Sequence, residues 1–269
     1  MSAPGRLVAM LDSGLGGLTV LGALRALAPD VDVIYFADTA NVPYGDRSLA
    51  EVAALGTRIV ERLVRRNPAV IAVASGTTCA AFDACGWPQA TVPFTGMIEP
   101  GARAALSAST TKSIGVVATR ATIDSGCFAR ALRALDGGAQ VTNVSAPALV
   151  PIVEAGESAS ERAQTAVAAV CRPFVDAACD AVILGCTHFP HLRTWFAAAL
   201  GPSVRLVDPA DACAALTAGL LPPEPSGNGT LAIEVSGDER VFAQRAKALG
   251  VTRIDELAHV PLDLGARAR

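Results

Sequence analysis

Short apolar runs rich in Val and Ile recur along the chain, and each gives way to a polar or glycine turn and then to a longer Ala/Leu/Arg segment of helical period. That alternation is the pattern of parallel βαβ units, so it predicts an α/β fold. The strand candidates are RLVAML, VDVIYFA, AVIAVA, SIGVVAT, AQVTNVS, DAVILG and SVRLVD, with LAIEVSGD as one more near the C-terminus. APALVPIVEAG interrupts the rhythm, and its two prolines read as a loop entering a short helix. LPPEPSGNGT, residues 221–230, reads as a linker or surface loop.

Residues 69–78 and 181–188 are built alike, an apolar strand that stops abruptly, in Ser75-Gly76-Thr77-Thr78 in one and in Cys186-Thr187-His188 in the other. The likeness suggests an internal duplication, two parallel-sheet α/β halves facing each other across a cleft. In open parallel sheets ligands bind beyond the carboxyl ends of the strands. Functional weight therefore falls on Asp12-Ser13, Ser75-Gly76-Thr77, Thr119 and Cys186-Thr187-His188.

Composition narrows the class. At 269 residues, 51% hydrophobic and 17% charged, the chain has the makings of one large globular domain or of two. A net charge of −3 without long runs of like charge makes neither nucleic acid nor an anionic membrane an expected partner. The Arg62, Arg65, Arg66 cluster reads as the basic last turn of a helix ending before Pro68. No apolar run is long enough to span a membrane, and Asp12 and the early glycines do not suit a signal peptide, so the expected location is the cytoplasm. Seven cysteines, an odd number with no Cys-x-x-Cys pair, argue for reduced thiols. A metal reading of Cys186, His188 and His191 lacks a fourth ligand at usable spacing.

Among the candidate reactive groups, Cys186 follows a buried strand and should open a helix, where backbone N–H groups and the helix dipole favour a thiolate; His188 is placed to share its proton. For the other cysteines the role of small buried hydrophobe suffices. Asp12-Ser13 sits at the first strand-to-helix turn, with Gly14, Gly16 and Gly17 letting a ligand approach the backbone, although Asp12 reads equally as a helix cap. The dinucleotide fingerprint is not satisfied there. Pro43-Tyr44-Gly45 reads as a turn, Thr119 and Thr122 as cap or ligand groups, and Glu154 as either a ligand-facing carboxylate or an exposed helix residue. The only lysines, Lys112 and Lys247, do not end strands, which leaves a pyridoxal Schiff base without an anchor, so no cofactor is expected.

Taken in order, LDSGLGGLTVL, YFADTANVPYGDRS, VPFTGMIEPGARAAL, GVVATRATIDSGCF, PIVEAGE and VILGCTHFPHL resemble glutamate racemase, within the cofactor-independent aspartate/glutamate racemase superfamily, over nearly the whole chain. The resemblance implies two α/β domains related by a pseudo-twofold, residues 1–95 plus 211–269 and residues 96–210, with the active site between them. It implies inversion of glutamate at Cα by two cysteines working on opposite faces, a supply of peptidoglycan precursor, a small acidic amino acid or dicarboxylate as ligand, and a homodimer as the family's tendency. By matching position, Asp12 would assist the first catalytic cysteine and Ser13 would contact substrate. Pro43, Tyr44 and Gly45 would line the cleft, Thr77, Thr119 and Thr187 would bind carboxylates, Glu154 would lie near the mouth, and Cys186 with His188 would form the second catalytic pair.

The chain departs from the family at one place. Where the pattern is Ala-Cys-Asn-Thr, residues 74–77 read Ala74-Ser75-Gly76-Thr77, so the first thiol and the substrate-binding asparagine are both absent. A serine hydroxyl is a far weaker acid than a thiol, and Cys79, one helical turn on, should point along the helix and not into the cleft. Three readings follow: a racemase carrying a substitution at Ser75, a one-cysteine relative that decarboxylates or isomerises a malonate-like acid, and a dicarboxylate binder without catalysis.

Overall fold

The computed structural model describes residues 6–223 and 227–262. The strand candidates fold as β1 (Leu7–Asp12), β2 (Asp32–Ala37), β3 (Val70–Val73), β5 (Ser113–Ala118), β6 (Gln140–Ser145), β7 (Ala181–Leu184), β8 (Arg205–Val207) and β9 (Leu231–Val235). Two strands had not been expected, β4 (Phe94–Thr95) and β10 (Glu256–His259). One has too few residues to carry a period, and the other is an edge strand with mostly exposed side chains. The helices are α1 (Leu18–Leu27), α2 (Leu49–Val64), α3 (Gly76–Cys85), α4 (Ile98–Ala108), α5 (Arg120–Ser125), α6 (Cys127–Leu135), α7 (Leu149–Glu154), α8 (Glu161–Asp176), α9 (Arg193–Leu200), α10 (Pro209–Gly219) and α11 (Glu239–Ala248).

These strands form two sheets, in the orders β10-β9-β2-β1-β3-β4 and β6-β5-β7-β8, and all pair in parallel. Within them β2-β1-β3-β4 and β6-β5-β7-β8 repeat one topology. Ser75 after β3 and Cys186 after β7 therefore occupy equivalent strand ends, as the matching of 69–78 with 181–188 anticipates. The central strands are buried on both faces, the usual state of parallel sheets sheathed by helices. One core surrounds the six-stranded sheet and reaches Ile114, Val116, Ala181 and Ile183 on one face of the other; Val117, Val182 and Leu184 on the opposite face pack with α8 and α9.

Local chemistry explains the helix boundaries. Ser48 and Glu51 form a capping box at the start of α2, and Ser75, Thr119, Ser160 and Asp208 accept backbone N–H groups at the starts of α3, α5, α8 and α10. Two local expectations need correction. α2 ends at Val64, so Arg66 lies past it, and Arg62 and Arg66 both hold the buried Glu234 of β9, an ion-pair cluster and not a simple basic last turn. Cys186 does not open an α-helix directly: a 3-10 turn, Phe189–Leu192, precedes α9. No helix among the described residues is long and apolar enough to cross a membrane.

Candidate active site

The strand ends of the two sheets converge on one cavity of about 330 Å³. From the first sheet come Asp12, the last residue of β1, with Ser13 after it, Pro43, Tyr44 and Gly45 in the turn after β2, and Ser75, Gly76 and Thr77 at the head of α3. The second sheet contributes Thr119 after β5, Glu154 at the end of α7, and Cys186, Thr187 and His188 after β7. Each of these residues is expected from the sequence; Thr122, the other threonine considered there, stands behind Thr119 and does not line the space. Val42, Asp46, Arg120, Pro147, Val150, Pro151 and Arg245 line it too and were not anticipated. Pro147, Val150 and Pro151 lie in APALVPIVEAG, whose broken rhythm reads as a loop entering a short helix and carries no mark of the cavity; Arg245 sits in the last turn of α11, where a basic residue is ordinary.

On the β7 side, the buried Cys186 Sγ lies 3.7 Å from His188 Nδ1. His188 Nε2 is 2.7 Å from Glu154 Oε1, and Arg245 Nη1 donates to Glu154 Oε2 at 2.9 Å. Glu154, ambiguous in the sequence, is thus a half-buried partner of the site. Burial alone would lower the basicity of His188, but its hydrogen bonds with Cys186 and Glu154 push its pKa up to about 10. The bond to His188, together with Arg245, holds the Glu154 carboxyl below its ordinary range. The imidazolium is therefore the stable form near neutrality.

On the β1 and β3 side, burial raises the Asp12 carboxyl above its ordinary value, partly countered by His188 and by backbone N–H groups. Gly17 N donates to Asp12 Oδ2 at 2.6 Å, but the N-cap of α1 is Gly17 itself with no side-chain cap bond, so Asp12 is a cavity-lining carboxylate and not the helix cap. Gly16 and Gly17 serve to fit protein against protein, whereas a Cβ on Gly14 would make only ordinary contacts. A Cβ on Gly16 would collide with Thr187 Oγ1 and one on Gly17 would lie 2.7 Å from the Tyr35 hydroxyl, which corrects the expectation that these two make room for a ligand. Gly76 is hemmed in by backbone: its Cβ would meet the Gly185 carbonyl oxygen at 2.5 Å. The ends of β3 and β7 thus touch backbone to backbone.

Ser75 Oγ accepts from Thr78 N at 3.3 Å and from Thr78 Oγ1 at 2.9 Å, which leaves its own proton to donate. Thr77 Oγ1 is 3.0 Å from Thr119 Oγ1, and Thr122 backs them both. Tyr44 donates to the buried Asp38 at 2.5 Å, fixing the turn that carries it. Cys79 lies outside the cavity. Its Sγ is 3.4 Å from Val73 O and accepts from Met97 N, and burial pushes its thiol pKa well up, so it does not take the place of a thiol at 75.

A two-sheet α/β chain with a cysteine–histidine pair at one strand end has close counterparts among known proteins. Residues 19–217 match the family model for Asp/Glu/hydantoin racemases. A glutamate racemase of Desulforudis audaxviator is 44% identical over 76% of this chain and 75% of its own length. One of Herpetosiphon aurantiacus is 41% identical over 91% of this chain and 98% of its own. The crystal structure of the glutamate racemase isoform RacE1 from Bacillus anthracis superposes with a TM-score of 0.91 at 29% identity, covering 97% of this chain and 99% of that one. Sequence and architecture agree across almost the entire length: the chain belongs to the Asp/Glu/hydantoin racemase family and groups there with the glutamate racemases.

Proposed function

We propose that this chain is an isomerase that interconverts L- and D-glutamate without a cofactor, supplying the D-enantiomer for peptidoglycan. It would act in the cytoplasm, as a homodimer, with the cavity between lobes of residues 1–95 plus 211–269 and 96–210. The observation that carries the reading is the Cys186–His188–Glu154 chain facing a small cavity rich in hydroxyl groups. The α-proton of an amino acid is very weakly acidic, so its removal needs a positioned base, fixed donors for the developing negative charge, and exclusion of bulk water. In this reading Cys186, as the thiolate paired with the His188 imidazolium, takes the proton from one face of Cα and becomes a thiol; the carbanion is then protonated either by the same thiol or from the opposite face. Thr77, Thr119 and Thr187, with the head of α3, would receive the substrate carboxylates.

The opposite face is where Ser75 stands. Its hydroxyl, accepting from Thr78, keeps its own proton to donate, yet it is far too weak an acid and base to match a thiol. Proton exchange on the Cys186 face should therefore outrun inversion. Proton NMR of L- and D-glutamate in deuterium oxide tests the substrate assignment. Loss of the Cα proton signal from one enantiomer, abolished by Cys186→Ala, is the expected result; no exchange from either enantiomer would remove glutamate as the substrate.

A further inference from the structure

Arg245 belongs to α11, beyond the 221–230 segment and 91 residues from the side chain it touches. The helix is firmly seated. Asp238 caps it through the N–H groups of Arg240 and Val241, and Phe242 and Ala246 are buried. The Phe242 ring packs 6.4 Å from that of Tyr35, whose hydroxyl donates to Gly14 O beside Asp12. Arg245 is three residues from Phe242, on the same flank of the helix. Its guanidinium reaches Glu154 Oε2, while Glu154 Oε1 meets His188. Both carboxylate oxygens are thereby committed, one to each neighbour, and the carboxylate has a single orientation.

Glu154 is the last residue of the six-residue α7, and a quarter of its side chain is exposed. Without Arg245, Oε2 would turn toward water and Oε1 would leave His188. Two opposed effects accompany that loss. Removing a cation favours the imidazolium, but Arg245 is half exposed and its field is screened. Misplacement of a catalytic group costs far more, since ångström errors of position cost orders of magnitude in rate.

We propose that Arg245 is a positioning residue for proton transfer at Cys186, holding Glu154 so that His188 keeps its Nδ1 toward the thiol. The proposal rests on the reading that Cys186 is the working base. The charged and titratable groups facing His188 are Cys186, Glu154, Asp12 and His191, so Arg245 acts on it only through Glu154.

The test is the rate of Cys186 alkylation by iodoacetamide, followed by peptide mass spectrometry over a range of pH, for the parent, Arg245→Ala and Arg245→Lys. The expected result is a fall of about tenfold near neutrality in the alanine variant, shrinking at high pH, partly restored by lysine, with an unchanged melting temperature. A profile superimposable on the parent's in both variants would overturn the proposal and leave Arg245 as an ordinary surface ion pair; so would a fall of equal size at every pH, which marks changed access to the thiol. This readout uses no substrate. A shifted alkylation profile together with no glutamate exchange in any variant would uphold Arg245 and sink the glutamate assignment.

Discussion

Replacing Gly76 by alanine puts one methyl group where the two sheets meet. Its Cβ would sit 2.5 Å from Gly185 O, where ordinary contact begins at 3.4 Å, a shortfall of about 0.9 Å. Gly185 cannot retreat easily. Its N donates to Val117 O at 2.7 Å, and a Cβ built on Gly185 itself would be 2.9 Å from the buried Phe128. Overpacking of this kind costs about 1–3 kcal/mol, whereas Gly→Ala inside a helix gains about 0.5–1 kcal/mol and less at a first helical position. The net effect is a loss of about 1–2 kcal/mol, or roughly 3–6 °C in melting temperature for a chain of this size. Relaxation would also spread the strand ends that carry Ser75 and Cys186, lowering α-proton exchange by about tenfold. Asparagine, the residue of the family pattern, meets the same obstacle, so Ser75→Cys combined with Gly76→Asn should be less stable than Ser75→Cys alone. Thermal denaturation with NMR exchange on the same samples decides the matter. An alanine variant that melts at or above the parent with undiminished exchange would refute the close-contact argument.

Three further outcomes are expected. His188 has a folded-state pKa of about 10, raised from 6.5, so its contribution to stability is complete below about pH 6.5 and is lost as pH rises through about 10; the parent should lose melting temperature over that window and His188→Asn should lose less. Cys186 should alkylate faster than Cys171 and Cys213, whose thiols burial raises to about 12 and about 11; mass-spectrometric mapping that ranks it with them would mark Cys186 as structural. Tyr44→Phe removes one donor from the buried Asp38, leaving it Ser236 and Asn41; it should cost about 1–2 kcal/mol in urea denaturation and raise KM for glutamate, and an unchanged midpoint would show that the bond does not hold the turn.

Much of this arrangement was legible because it is local. A buried parallel strand announces itself by Val and Ile, and the residue after it is read directly from the chain, which is how Ser75, Thr119 and Cys186 could be placed at one cleft. What was not legible depends on contacts between remote segments. Gly16 and Gly17 look like a ligand-binding loop, yet Thr187 and Tyr35 fill the space beside them. Arg62 and Arg66 look like a helix terminus until Glu234 arrives from β9. Arg245 has no distinguishing neighbour in sequence, and its meaning comes only from Glu154. Cys79 was correctly set aside, because helical spacing alone turns it from the cleft.

The central claim is that Cys186 serves one face of Cα while Ser75 leaves the other poorly served. Circular dichroism of each glutamate enantiomer over time, run beside proton NMR in deuterium oxide, measures inversion and exchange together for the parent and for Ser75→Cys. The account predicts exchange ahead of inversion in the parent and a gain in racemisation of at least ~10²-fold in the variant, the low end of what a positioned general acid or base contributes. A parent chain that already racemises glutamate at a rate Ser75→Cys does not exceed would contradict it.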